Sequence, residues 1–214
     1  MKETIYSIPI NESFEVLDGQ CPVCRLHRKL IDDTLDYTLG PAMMEPDVRQ
    51  RTNALGFCHE HLDALIKRQK RLPLALVLET HIQTLQKSEK HLMAENCYVC
   101  DRVGGFLSAY YGNILYLWRT EEDFRKKWEA QPMICRPHTA ALAEAAPKEL
   151  SKKEAPAFAA SLKHKASQYM EGLSESLAVF IRSFDHRFAG EDLGAHKQAV
   201  QTTAAFLSGP KSGA

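Results

Sequence analysis

Every cysteine of the chain belongs to a short pair that has the spacing of metal ligands. Two CxxC pairs alternate along the chain with two CxxH pairs, and each pair can present two ligands from one turn of backbone. Thiolate and imidazole are ligands that zinc prefers, and three cysteines with one histidine complete its tetrahedron. The pairs, in chain order, are Cys21-Pro-Val-Cys24, Cys58-His-Glu-His61, Cys97-Tyr-Val-Cys100 and Cys135-Arg-Pro-His138.

The order of the pairs predicts two zinc ions per chain. Residues 25–57, a stretch of 33, separate the first CxxC from the first CxxH, and residues 101–134, a stretch of 34, separate the second CxxC from the second CxxH. Such similar spacing is typical of an internal repeat. We therefore expect one Cys3His site in each copy. The predicted ligand sets are Cys21, Cys24, Cys58 and His61 for the first site, and Cys97, Cys100, Cys135 and His138 for the second.

Other chemistries of the cysteines are less consistent with this pattern. Iron–sulfur clusters generally need four cysteines, and CxxC redox chemistry would not explain the companion histidines. A different metal ion remains an alternative. His59 has no counterpart in the second copy, so we expect it to face solvent or to lie just outside the coordination sphere. Four protein ligands leave no open coordination position, which favours structural over catalytic zinc.

The function that we expect is non-enzymatic, namely a scaffold or interaction module with a protein or small-molecule partner. The partner would bind residues 37–53 or the C-terminal helices. For 37–53 taken alone, a structural loop with Met43 and Met44 in the core is the simpler interpretation, because acidic residues in a first helical turn need no function to explain them. One alternative is a thiol/zinc redox sensor, in which oxidation of a CxxC pair releases zinc. A second alternative is a hydrolase that uses Glu45, Asp47 and His59.

Composition and charge limit the classes of partner. The chain has 214 residues, of which 44% are hydrophobic, and its 27 basic residues balance its 27 acidic ones. Because there is no basic excess, nucleic acid is an unlikely partner. The longest apolar run, residues 72–78, is far shorter than a membrane span. The N-terminus has no apolar signal region, so we expect a cytoplasmic protein with reduced cysteines.

The hydrophobic pattern predicts an all-α fold. One helix should end before Gly40-Pro41, another should run from Pro46 to a stop at Gly56, and further helices should begin at the CxxH pairs. Only residues 4–10 show the alternation of a strand. The ligands should thus lie at helix N-termini, where backbone N–H groups stabilise the charge of −1 that three thiolates leave on a dication.

The second half of the chain should also be helical. Thr120 is expected to cap the helix of residues 121–128, and Ser151 with Glu154 forms a capping box. A helix break is expected near Gly172 and disorder after residue 207. We divide the chain into a first CxxC/CxxH unit (1–91), a second (92–148) and a helical C-terminal region (149–214), packed as one compact module.

Several longer stretches resemble one protein family. They are "MKETIYSIPINESFE", "CPVC", "DYTLGPAMMEPDVR", "GFCHEH", "CYVC" and "FDHRF". In combination they are similar to an uncharacterised bacterial domain-of-unknown-function family, family 6062, with duplicated CxxC and CxxH motifs. The resemblance covers nearly the whole chain and departs from the family pattern at "MICRPH", where a "GFC"-like lead-in would be closer. It implies a single-module cytoplasmic protein with metal-binding cysteines and no known catalytic role.

Overall fold

A computed structural model describes residues 6–87, 96–188 and 192–209. Within these ranges there are ten α-helices and no strand, so the predicted all-α class is confirmed. Three short 3-10 helices lie at Pro41–Met44, His186–Phe188 and Gly194–Gln198. The α-helices are α1 (Ser7–Glu15), α2 (Pro22–Thr38), α3 (Pro46–Leu55), α4 (His59–Lys67), α5 (Arg71–Lys87), α6 (Tyr98–Thr120), α7 (Glu122–Ala130), α8 (Arg136–Glu149), α9 (Glu154–Arg182) and α10 (Ala199–Ser208).

The described residues form two compact units. The first unit contains residues 6–26, 109–188 and 192–209, and the second contains 27–87 and 96–108. Helices α2 and α6 each contribute residues to both units. The segments predicted from the sequence, 1–91, 92–148 and 149–214, have other boundaries. That division of the chain stays a prediction.

The core of the first unit is aromatic. Phe14 of α1 stacks on Trp128 of α7 at 5.9 Å between ring centroids, and Trp128 packs against Phe158 of α9 at 5.1 Å. All three side chains are fully buried. The indole Nε1 of Trp128 donates to Ser161 Oγ at 3.0 Å, so the one polar atom of this ring also has a partner. The ring stack thereby joins three helices of this unit.

Two buried polar side chains hold the segment that leads from α7 to Cys135. Gln131 Nε2 donates to the carbonyl of Phe14 at 2.7 Å. Lys165 Nζ donates to the carbonyls of Gln131 at 2.8 Å and Glu129 at 3.1 Å, and so caps the end of α7. Burial lowers the pKa of Lys165, and the charge of Glu129 partly offsets this effect. The approach to the ligand pair of α8 is fixed by these bonds.

The core of the second unit is mainly aliphatic. It contains buried residues of α2, α4 and α6, among them Leu35, Leu65, Tyr98 and Val99. Helix α3 also contacts α5, because the guanidinium of Arg49 donates to the carbonyl of Leu76 at 2.7 Å. These contacts place the first turns of α4 and α6 in the same unit.

The structure corrects three local predictions. Residues 7–10 are helical rather than extended, because Ile10 and Phe14 bury the same face of α1 at helical spacing; residues 4 and 5 lie outside the described ranges. Thr120 ends α6, where its hydroxyl donates to the carbonyl of Tyr116, instead of capping α7. Helix α9 continues through Gly172 without a break. The cost of that glycine, about 1 kcal/mol, is small beside the burial of the rest of the helix.

The predicted capping box is confirmed. The backbone N–H of Ser151 donates to Glu154 Oε2 at 3.0 Å, and the backbone N–H of Glu154 donates to Ser151 Oγ at 3.3 Å. The hydrogen bond from Ser151 also lowers the pKa of Glu154. The tail predicted to be disordered lies mostly outside the described residues. Along the part of the chain that the structure describes, no helix combines the length and apolar character needed to span a membrane.

Candidate metal centres

The structure brings all eight predicted ligands into two groups of four, but the predicted pairing was wrong. In each group the ligand atoms lie within 4.8 Å of one another. The first CxxC pair meets the second CxxH pair, and the first CxxH pair meets the second CxxC pair. We call Cys21, Cys24, Cys135 and His138 the first cluster, and Cys58, His61, Cys97 and Cys100 the second cluster.

Hydrophobic packing explains the exchange of partners. Leu65, one helical turn after His61, is fully buried in the second unit. It shares its core with Leu35 of α2 and with Tyr98, the residue after Cys97. The N–H of Tyr98 also donates to the carbonyl of Gly56 at 2.9 Å. Because Leu65 and Tyr98 are buried in the same core, the first CxxH pair lies next to the second CxxC pair.

In the first cluster the imidazole of His138 faces three sulfurs. Its Nδ1 lies 3.1 Å from Cys135 Sγ, 3.3 Å from Cys24 Sγ and 3.7 Å from Cys21 Sγ. The sulfurs of Cys24 and Cys135 are 3.4 Å apart. Nδ1 is thus the ring nitrogen that is placed to bind a metal ion.

The second cluster has the same arrangement. Nδ1 of His61 lies 3.2 Å from Cys58 Sγ, 3.4 Å from Cys97 Sγ and 3.4 Å from Cys100 Sγ. The sulfurs of Cys58 and Cys100 are 4.0 Å apart. Nε2 of His61 is buried and has no hydrogen-bond partner among the described residues, whereas Nδ1 faces the three sulfurs.

These distances fit a tetrahedral metal ion. Bonds of about 2.3 Å to sulfur and about 2.0 Å to nitrogen imply edges of roughly 3.8 Å between sulfurs and roughly 3.5 Å between sulfur and nitrogen. The observed separations, 3.4 and 4.0 Å between sulfurs and 3.1 to 3.7 Å from sulfur to Nδ1, lie around these values. A disulfide needs about 2.05 Å, and all six cysteines are free thiols. Both clusters therefore have the geometry of metal sites.

Comparison with known proteins agrees with the resemblance seen in the sequence. The model of DUF6062, a family of unknown function, matches residues 1–96 and 86–213. The chain belongs to the DUF6062 family. Searches of curated proteins and of solved structures found no match.

The candidate ligands of the DUF6062 chain lie at the N-termini of four helices, as predicted. Cys58 and Cys135 are the N-cap residues of α4 and α8, and each accepts a backbone hydrogen bond from the first turn of its helix. Cys21 and Cys97 immediately precede α2 and α6 in the same way. Free N–H groups and the positive ends of four helix dipoles therefore face the sulfurs and stabilise negative charge there.

Crowding of the sulfurs opposes full ionisation of the thiols in both clusters. A hydrogen bond with Cys21, together with burial, raises the pKa of Cys135 to about 12. Partial loss of solvent around the thiol and the charge of Cys97 raise the pKa of Cys100 to about 12. Hydrogen bonding to Cys135 and Cys21 also raises the pKa of Cys24. Burial opposes ionisation of Cys21, but hydrogen bonds from Cys135, Cys24 and His138 hold its pKa well below the usual value. A dication would remove this mutual repulsion.

The two clusters of the DUF6062 chain differ in exposure. All four residues of the first cluster are buried. The ring of Tyr111 lies 6.3 Å from that of His138. Gly209 is also close to this cluster, since a methyl group added to it would lie 3.7 Å from Cys135 Sγ. In the second cluster Cys58 is half-buried and Cys100 is exposed. The covering residues Tyr111 and Gly209 were not predicted, because no spacing in the sequence links them to the ligands.

The other residues singled out in the sequence lie at the surface of the second unit. His59 is exposed, as expected, and so are Glu45 and Asp47. Glu45 Oε2 accepts a hydrogen bond from the hydroxyl of Tyr37 at 2.7 Å, which raises the pKa of that tyrosine. Met44 is 76% exposed, so its predicted place in the core was wrong. The neighbouring Ala42 and Val48 are buried and anchor this segment instead.

Proposed function

We propose that the DUF6062 chain binds two zinc ions, one in each Cys3His cluster. The observation that carries this proposal is the set of sulfur and nitrogen separations, which match the edges of a zinc tetrahedron in both clusters. Three soft thiolates and one imidazole select zinc over hard ions such as magnesium and calcium. Each filled site carries a charge of −1, which the helix N-termini stabilise.

The zinc ions serve structure rather than catalysis. Four protein ligands complete the coordination, so no position is left for water or substrate. Structural zinc contributes about 10–16 kcal/mol of binding free energy in small domains, whereas the net stability of a domain is about 5–15 kcal/mol. Each ion joins two helix starts that are distant in sequence. Each metal therefore stabilises the helix starts of its own unit.

The scaffold built in this way is an interaction module of the cytoplasm. Free thiols are typical of a reducing compartment. Exposed apolar side chains offer contact surfaces in both regions named from the sequence: Met44 lies within 37–53, and Ile181 and Phe184 lie at the end of α9. The matching positions of the pairs, with CxxC at the starts of α2 and α6 and CxxH at the starts of α4 and α8, support an internal repeat.

Elemental analysis of the purified full chain tests the metal and its amount. We expect about two zinc ions per chain in the natural sequence and about one in Cys58→Ser and in Cys135→Ser. His59→Ser is the matched control, because it changes an exposed histidine beside Cys58 that is not a ligand, and it should keep two. Iron in place of zinc, or a cysteine variant that keeps both ions, would overturn the proposal.

A further inference from the structure

The second cluster contains an exposed cysteine, whereas the first does not. Cys100 is exposed and Cys58 is half-buried, and their sulfurs lie 4.0 Å apart. The cysteines of the first cluster have at most 5% of their surface exposed. A thiolate reacts with oxidants and electrophiles according to its access as well as its ionisation.

We propose that Cys100 and Cys58 form a thiol modification site, at which hydroperoxides oxidise the second cluster and release its metal while the first cluster keeps its own. This inference rests on the zinc occupancy proposed above. The reactant is a two-electron oxidant of the hydroperoxide class. Alkylating electrophiles can reach the same exposed cysteine.

The chemistry needs only a hydroperoxide and the two sulfurs. The Cys100 thiolate attacks one peroxide oxygen, the O–O bond breaks, hydroxide leaves and Cys100 becomes a sulfenic acid. The Cys58 thiolate then attacks the Cys100 sulfur, the S–O bond breaks and a second hydroxide leaves as the disulfide forms. The two sulfurs lose two electrons in total, and the peroxide gains them. Only Cys97 and His61 then remain as ligands, which is too few to retain the ion.

Access, rather than the distance between sulfurs, decides which cluster reacts. Cys24 and Cys135 are closer to each other, at 3.4 Å, than the 4.0 Å between Cys58 and Cys100. An oxidant must nevertheless reach a sulfur first, and Cys135 is fully buried. Gly209 also lies against Cys135. Attack on the first cluster therefore requires local opening of the first unit, whereas attack on Cys100 does not.

Loss of the second metal should loosen the helix starts but not the core behind them. Leu65 and Tyr98 remain packed in the aliphatic core, and the hydrogen bond from Tyr98 N–H to the Gly56 carbonyl does not involve the ligands. Asp101, the residue after Cys100, forms an exposed ion pair with Arg51. Such a pair contributes little to stability. The oxidised state should thus show a local rise in backbone exchange around residues 57–61 and 97–101.

The test uses the zinc-loaded full chain and one equivalent of hydrogen peroxide. A chromogenic chelator measures the zinc released, and peptide mass spectrometry maps disulfides and alkylated cysteines. We expect one of two ions to be released, with a Cys58–Cys100 disulfide, and alkylation of Cys100 at least about tenfold faster than that of Cys135. Equal rates at the two cysteines, or release of both ions together, would overturn the inference.

Two variants separate this inference from the proposed function. Cys24→Ser removes a ligand of the first cluster only, so peroxide should still release the zinc that this variant retains. Cys100→Ser removes the reactive sulfur, so the zinc that it retains in the first cluster should survive the same dose. A natural chain that holds no zinc before treatment contradicts the proposed function itself. A natural chain with two ions, of which the first cluster's leaves first, contradicts only the present inference.

Discussion

Gly56 offers a test of how the second unit positions its ligands, because the structure leaves no room for a side chain there. Its φ of +60° and ψ of −151° lie in a region that is essentially restricted to glycine. A methyl group at this position would lie 2.6 Å from His81 Nε2. His81 cannot move freely, since its Nδ1 donates to the carbonyl of Asn53 at 2.8 Å. Gly56→Ala must therefore strain the backbone and displace His81.

These two effects set the expected size of the change. Backbone strain costs about 1–3 kcal/mol, and loss of the His81 hydrogen bond costs about 0.5–1.5 kcal/mol. Gly56→Ala should then lower the free energy of unfolding by about 1.5–4.5 kcal/mol. Urea unfolding followed by circular dichroism at fixed zinc concentration measures the change. Because Gly56 lies two residues before Cys58, the variant should also lose zinc to a chelator faster.

Gly105→Ala is the matched control in the same unit. No atom lies within 4 Å of the added methyl group, and the residue lies inside α6. Alanine should stabilise this position by about 0.5–1 kcal/mol. The double variant Gly56→Ala/His81→Ala should remove the clash but not the backbone strain. A Gly56→Ala chain within about 0.5 kcal/mol of the natural one would refute the reasoning, because strain alone should exceed that value.

Three further predictions follow from the two cores and the clusters. Trp128→Ala should lower the free energy of unfolding in urea by about 3–5 kcal/mol, because this ring is fully buried. A loss below about 1 kcal/mol would contradict the packing. Ser151→Ala should cost about 1 kcal/mol and speed hydrogen exchange at the start of α9, whereas unchanged exchange there would argue against the capping box. Zinc binding near pH 7 should release at least one proton per ion, because without metal the pKa values of Cys100 and Cys135 are about 12 and both thiols hold their protons. The apparent affinity for zinc should then fall as the pH falls. Calorimetry in buffers of different ionisation heat counts the protons released on binding. No proton release would show that the thiols were already ionised and would contradict this prediction.

Residue type and short-range spacing identified the eight side chains that the structure groups, and predicted their place at helix starts. CxxC and CxxH present two ligands from one turn, and this local geometry holds in both clusters. The capping box at Ser151 is likewise a local pattern. The expected strand at residues 4–10 failed because Ile10 and Phe14 bury one helical face, and period-two alternation over so few residues is weak evidence.

The pairing of the ligands could not be predicted from spacing. Residues 62–96, a stretch of 35, separate His61 from Cys97, almost the same interval as the 33 and 34 residues within the two motifs. Closing the longer loop of 110 residues (25–134) costs only about 1 kcal/mol more than closing 34. That difference is small beside the binding free energy of zinc, so tertiary packing of residues such as Leu65 decides the pairing. No local pattern carries that information.

Zinc content in paired double variants tests the crossed arrangement most directly. Each variant replaces two cysteines by serine, so the variants differ only in which cluster they affect. Cys21→Ser/Cys135→Ser should retain about one zinc ion, because both changes fall in the first cluster, whereas Cys21→Ser/Cys58→Ser should retain almost none. The reverse result, one ion in Cys21→Ser/Cys58→Ser and none in Cys21→Ser/Cys135→Ser, would contradict the crossed pairing and restore the in-order one.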